Sequence, residues 1–199
     1  MLETTLSPTN PARRAMIDSQ LRTSGVNAPE VLTRMNKVPR EDFVPANARA
    51  TAYMDRAIKL DNGGALPAPL VQGAMLQEAA PKGGEVAIVV NNGSGYLAEL
   101  LRPMVAEVIE LTPAEATSTA TAGARRADLL LIDGAAEQLP AALLARLADD
   151  ARIVTGTIEG GVSRLAIGRL TDGKAALFTV QDMGIPRIAA FDAPKGWNF

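Results

Sequence analysis

From residue 85 the chain alternates short apolar runs with helical spacing: "VAIVV" (86–90), "YLAELLRPMV" (96–105), "EVIEL" (107–111), "ADLLLID" (127–133) and "LPAALLARLA" (139–148). Runs that are apolar at every position, rather than every second one, belong to strands covered on both faces. This rhythm predicts an α/β fold with a doubly wound, mostly parallel sheet, Rossmann-like in architecture. Further on, "ARIVTGTIE", "SRLAIGRL" and "AALFTVQDM" read as strands with no helices between them, and Thr171-Asp172-Gly173-Lys174 is a tight-turn sequence. An antiparallel C-terminal hairpin should therefore close the sheet.

Residues 1–80 read as a region of helices and loops ahead of a sheet domain spanning 81–199, the two forming one compact unit. Ala15, Met16, Ile17 and Leu21 have helical spacing that ends at Gly25. In "NAPEVLTRMNKVP", Asn27 and Glu30 read as a capping box, Pro29 suits a first turn, and Pro39 stops the helix. "DNGGALPAP" (61–69) is a Gly/Pro-rich loop, and "PLVQGAMLQEAA" returns to helical spacing.

A formal net charge of -2 and a pI near 5.3 provide no basic field for nucleic acid. Cysteine and histidine are both absent, which removes disulfides, thiolates, imidazole bases and most zinc sites, so no metal centre is expected. The start, "MLETTLSPTNPARR", lacks the layout of a secretory leader, and no apolar run approaches a bilayer span. A cytoplasmic location without membrane partners is expected.

The segment "EVAIVVNNGSGYLAEL" (85–100) runs from a strand through Gly93-Ser94-Gly95 into a helix. Backbone N–H groups gathered at such a turn suit an anion or a ribose, and Glu110 at the end of the next strand could accept from ribose hydroxyls. Gly93-x-Gly95-x-x-Ala98 also satisfies a dinucleotide fingerprint, and the same pieces describe half of an S-adenosylmethionine site. Glycines that merely permit a tight turn account for this segment about equally well.

The rest of the chain resembles the protein-L-isoaspartate O-methyltransferase family. "MIDSQLRTSGVNAPEVLTRMNKVPREDFVPANARATAYMDRAIKL" is similar to that family's opening helices, "NGSGYLAELL" to its cofactor loop, and "EVIELTP" to its second strand. "ADLLLIDGAAEQLPAALLARL" resembles its fourth strand and following helix. The resemblance implies S-adenosylmethionine as cofactor and methyl transfer to the carboxylate of an isoaspartyl protein or peptide. Under it the cofactor-binding positions are Asn91, Gly93, Ser94, Gly95, Glu110 and Asp133.

The chain departs from the family's pattern at specific positions. Aligned on Gly93-Ser94-Gly95, the family's strand acid is Val89 and its first glycine is Asn91, a residue that tolerates positive φ better than any other except glycine. The substrate-loop hydroxyls fall on Ala65 and Pro67, leaving no assigned catalytic residue, while Pro69 is kept. Only 14 residues separate Pro113 from Asp128. This is too few for a helix, strand and loop, so one strand-helix unit should be missing. The strand near Val108 to Leu111 then becomes an edge and offers a pairing surface for a homodimer. Asp133 reads more readily as a solvated or N-capping aspartate ahead of a 137–148 helix than as a ligand group in the crevice.

Three functions compete. The first is the family's methyl transfer, which these replacements predict to be weak or lost. The second is a non-catalytic binding protein on the methyltransferase fold, and the third is an NAD-type oxidoreductase resting on the fingerprint alone.

Overall fold

The computed structural model describes residues 10–119 and 126–194. Asn10 opens the first helix, α1 (Pro11–Met16), by accepting from the Ala12 N–H at 2.9 Å. The chain continues through a π-helical turn (Ile17–Leu21) and a 3-10 turn (Arg22–Ser24) to Gly25, whose φ of 92° ends the segment. Helix α2 (Pro29–Lys37) buries Val31, Leu32 and Met35. Its expected Asn27–Glu30 capping box does not form. Ala28 is the N-cap, and the Asn27 and Ala28 N–H groups both donate to Gln77 Oε1. A side chain from another helix therefore does the capping.

A two-residue ladder of β1 (Ile58–Lys59) and β2 (Ala65–Leu66) flanks the Gly-rich loop. Helix α3 (Pro69–Ala79) follows, beginning on proline and buried over most of its length. The main sheet contains β3 (Val86–Val90), β4 (Glu107–Leu111), β5 (Ala127–Ala136), β6 (Leu147–Glu159), β7 (Val162–Thr171) and β8 (Lys174–Asp182). Helices α4 (Tyr96–Leu101), α5 (Pro113–Thr117) and α6 (Ala141–Leu144) connect the first four of these strands. Strand order is β4-β3-β5-β6-β7-β8. The β3–β4, β3–β5 and β5–β6 pairs are parallel, and the last two pairs are antiparallel.

Every residue of β3 is buried, as continuous apolar strands require. Ala87 and Val89 join a cluster with the N-terminal helices, α3 and α4, while Val86, Ile88 and Val90 join a second cluster across the sheet with Leu143 and Phe191. The N-terminal region is thus the cover of one sheet face, and its core is continuous with that of the strands.

Two connections differ from expectation. The 137–148 helix is reduced to the four residues of α6, because Pro140 starts it late and β6 already begins at Leu147. The segment between β4 and β5 contains only the five-residue α5 among the described residues, its remainder at 120–125 lying outside them. Accordingly β4 is an edge strand, as the short connection implied.

Candidate functional site

The switch in strand order falls at β3, where β4 lies on one side and β5 on the other, so the crevice opens at the carboxyl ends of β3 and β5. The register pairs Val90 with Ile132, which brings the Asn91–Gly95 turn level with Asp133. Gly93 and Gly95 have φ of 101° and 75°, values that glycine adopts without strain.

Asn91 does not act through its backbone. It is not among the residues with positive φ, which corrects the reading of it as a glycine substitute. Its side-chain oxygen instead accepts from both the Gly93 and Gly95 N–H groups at 2.9 Å. The carboxamide thereby satisfies the two donors that the turn would otherwise offer a ligand. Asn91 Nδ2 donates to Glu110 Oε2 at 3.3 Å, and the other Glu110 oxygen pairs with Arg102.

The Gly-rich loop lies directly on this turn. Ala65 N–H donates to the Asn92 carbonyl at 2.9 Å, and Asn62 Nδ2 donates to the Gly93 carbonyl at 2.9 Å. A Cβ built on Gly93 would stand 2.6 Å from Asn62 Oδ1. A Cβ on Gly64 would overlap the Asn92 carbonyl. Gly64→Ala should therefore push the loop off the turn and cost about 1–3 kcal/mol of stability, read as a lower urea midpoint. What remains between loop, turn and the end of β4 is a cavity of about 360 Å³ lined by Asn62, Asn91, Asn92, Thr112 and Pro113. That is near the low end for a small-molecule site.

A buried polar chain runs beneath the turn. Asp133 is 1 % exposed and accepts from Gln72 Nε2 at 2.9 and 3.1 Å and from Ser94 Oγ at 3.4 Å. This corrects the reading of Asp133 as a solvated or N-capping residue, since it stands inside β5 and no helix starts there. Gln72 Oε1 accepts from Arg40 Nη1 at 2.5 Å, and the fully buried Arg40 also donates to the Ala52 carbonyl at 2.8 Å and to the Pro67 carbonyl. Its guanidinium sits 5.1 Å from the Tyr96 ring centroid, and Phe43 meets that ring edge-on.

Burial pushes the Asp133 carboxyl up to about 7, against the opposing pull of Gln72, Arg40 and Ser94. Burial likewise lowers Arg40 to about 10. The two charges are held apart by the Gln72 carboxamide, which accepts from one and donates to the other.

Of the positions the sequence singled out, the fold brings Asn91, Gly93, Ser94, Gly95, Glu110 and Asp133 to one crevice. Ala65 and Pro67 border it through their backbones, and Pro67 uses its carbonyl on Arg40. Val89 is fully buried in the apolar cluster on the N-terminal side. Arg40, Gln72 and Asn62 escaped the sequence reading. A glutamine within the apolar stretch "PLVQGAML" was the available signal for Gln72.

A parallel sheet with an antiparallel end, a glycine turn after its central strand and a helical N-terminal cover define the S-adenosylmethionine-dependent methyltransferase class of α/β fold. Residues 12–127 match the Protein-L-isoaspartate(D-aspartate) O-methyltransferase (PCMT) family, and the chain belongs to it. A protein named Protein-L-isoaspartate O-methyltransferase 2 from Marinobacter nauticus is 31% identical over 93% of this chain and 94% of its own length. A protein of the same name from an Anaeromyxobacter species is 41% identical over 51% of this chain but only 42% of its own length. Among solved structures, a PCMT from Plasmodium falciparum in complex with S-adenosyl-L-homocysteine superposes with a TM-score of 0.72, covering 89% of this chain and 98% of that one at 17% identity.

Against the family's cofactor, the turn's N–H groups are occupied by Asn91, Ser94 is bonded to Asp133, and Glu110 is paired with Arg102. No carboxylate stands at position 89. These residues do not fit S-adenosylmethionine without first releasing internal partners. No group of three potential metal-binding side chains occurs among the described residues, and no helix among them is long and apolar enough to cross a membrane.

Proposed function

We propose that this chain is an isoaspartyl methyltransferase by descent in which methyl transfer is weak or lost, so that it works as a binding protein on the methyltransferase fold. The single observation that supports this most is the closure of the Gly93–Gly95 turn by the Asn91 carboxamide. If activity persists, the reading assigns S-adenosylmethionine to the crevice formed by Asn91, Gly93, Ser94, Gly95, Glu110 and Asp133. The acceptor would be an isoaspartyl protein at the Ala65–Pro67 loop.

In such a transfer the acceptor carboxylate attacks the methyl carbon directly, so rate depends on placing and desolvating it more than on a general base. Here Ala65 offers no hydroxyl, and Pro67 has neither a hydroxyl nor an N–H. Losing an anion partner and two hydroxyl contacts, at about 1–3 kcal/mol each, removes several orders of magnitude of binding or rate. The dinucleotide reading meets the same obstacle, because a pyrophosphate would need the N–H groups that Asn91 holds. A cytoplasmic protein is consistent with this reading.

Calorimetric titration with S-adenosylmethionine, S-adenosylhomocysteine and NAD, followed by a methyl-transfer assay on an isoaspartyl peptide, tests the proposal. No saturable binding at micromolar ligand and no turnover are expected. Micromolar binding of the methyl donor with turnover on the peptide sinks the proposal.

A further inference from the structure

Strand β8 ends the sheet, and nothing among the described residues pairs with its outer edge. It is nine residues long, ample for ladder formation. Phe178 on it is 61% exposed and Val180 41%. Among the described residues, both sheet faces beside it are open. A depression of about 410 Å³ borders Ile167, Arg169, Ala176 and Phe178, and another of about 290 Å³ borders Leu144, Lys174, Ala175 and Leu177. The opening has a plain cause. Strands β6, β7 and β8 are joined through Gly160-Gly161 and Asp172-Gly173 without helices, and α6 has only four residues to cover what a longer helix would.

The strand's sequence, "KAALFTVQD", is complementary to its own reverse. In an antiparallel pair centred on Phe178, Lys174 faces the partner's Asp182 at both ends and joins the Arg164–Asp182 pair already present in each chain. Phe178 faces its own copy and Ala176 faces the partner's Val180. No like charges meet, and the centre is an aromatic pair. The opposite edge contrasts with this. Strand β4 has five residues, and a pair centred on Ile109 would set Glu107 against the partner's Leu111 and Glu110 against the partner's Val108, with no complementary charges. Carboxylates on a short edge are a device against pairing.

We infer that β8, rather than β4, is an interaction surface for a second copy of this chain, forming a two-fold dimer whose sheet runs continuously through both subunits. Residue Val180 is an extra residue in the β7–β8 ladder, between the pairs Leu165–Gln181 and Ala166–Thr179. Such a bulge twists the edge and must flatten for Lys174 to reach the partner's Asp182, so the association is weak and concentration-dependent.

Light scattering over a concentration series should show the mass rise from 20.8 kDa toward twice that value, and Phe178→Glu should weaken association at least tenfold without changing the melting temperature. Because the chain contains no cysteine, the register can be read directly. An oxidised mixture of Lys174→Cys and Asp182→Cys chains should yield a disulfide-linked heterodimer in several-fold excess over either chain alone. The exposed control Met54→Cys should not cross-link with itself or with them. A monomer at every concentration overturns the inference, as does a dimer that survives Phe178→Glu or cross-linking that does not depend on mixing Lys174→Cys with Asp182→Cys.

Discussion

Asp133→Asn is expected to make this protein more stable at pH 8 and to flatten the dependence of its stability on pH between about 4 and 7. In the unfolded chain this carboxyl ionises near 3.8, and in the fold near 7, because burial penalises its charged form. Between those values the folded chain keeps a proton that the unfolded chain has released. Raising the pH through this window therefore favours unfolding, and the loss levels off above 7, where both states are ionised. The whole difference is on the order of 4 kcal/mol. Asparagine can still accept from Gln72 Nε2 while carrying no charge to desolvate. Carboxylates such as Glu41 and Glu85, held below their ordinary range, act in the opposite sense and lose stability as the pH falls. For this reason the informative measurement is the difference between wild-type and variant urea midpoints from pH 4 to pH 8. A difference that does not grow toward high pH refutes the assignment of a buried, titrating Asp133.

Arg40→Leu has the opposite effect and a comparable size. The guanidinium supplies donors to the Ala52 carbonyl, the Pro67 carbonyl and Gln72 Oε1, all within a fully buried site. Leucine fills much of the volume yet orphans three acceptors and removes the cation that faces Asp133 through Gln72. Leaving a buried acceptor without its donor costs about 1–3 kcal/mol apiece, so the urea midpoint should fall steeply at pH 8. At pH 5, where Asp133 holds its proton in the fold, the charge component disappears and the deficit should shrink. Arg40→Lys should recover only part of the loss, since a single ammonium cannot reproduce the planar fork that reaches all three acceptors. Equal deficits at the two pH values would show that Arg40 stabilises by packing and hydrogen bonding alone, independently of Asp133.

These two variants also bear on how the crevice is held. Arg40 anchors the loop through the Pro67 carbonyl, and Asp133 anchors the turn through Ser94. Gln72 connects the two from the first turn of α3. The Gly-rich loop and the Gly93–Gly95 turn are thus coupled from beneath through a chain of three buried side chains, and from above through Asn62 and the Asn92 carbonyl.

The sequence by itself determined the layers. Unbroken apolar runs at 86–90 and 129–132 require cover on both faces, and the short link before Asp128 requires β4 to be an edge. Helix-free spacing after residue 150 requires antiparallel strands. Each follows from a local pattern, because hydrophobic period and loop length act along the chain. What only the tertiary structure decided lies in the polar contacts. Asn91 was legible as the residue at the turn, but whether it served through its φ or its carboxamide depended on where the Gly93 and Gly95 N–H groups pointed after the turn closed. The spacing at 137–148 suited a helix, yet the demand of β5 for a parallel partner drew Leu147 and its successors into β6. Gln72 and Asp133 lie 61 positions apart and reveal their bond only when α3 packs across the carboxyl end of β5. A hydrophobic residue advertises its burial by its neighbours in sequence, whereas a buried polar residue is defined by a partner brought from elsewhere in the chain.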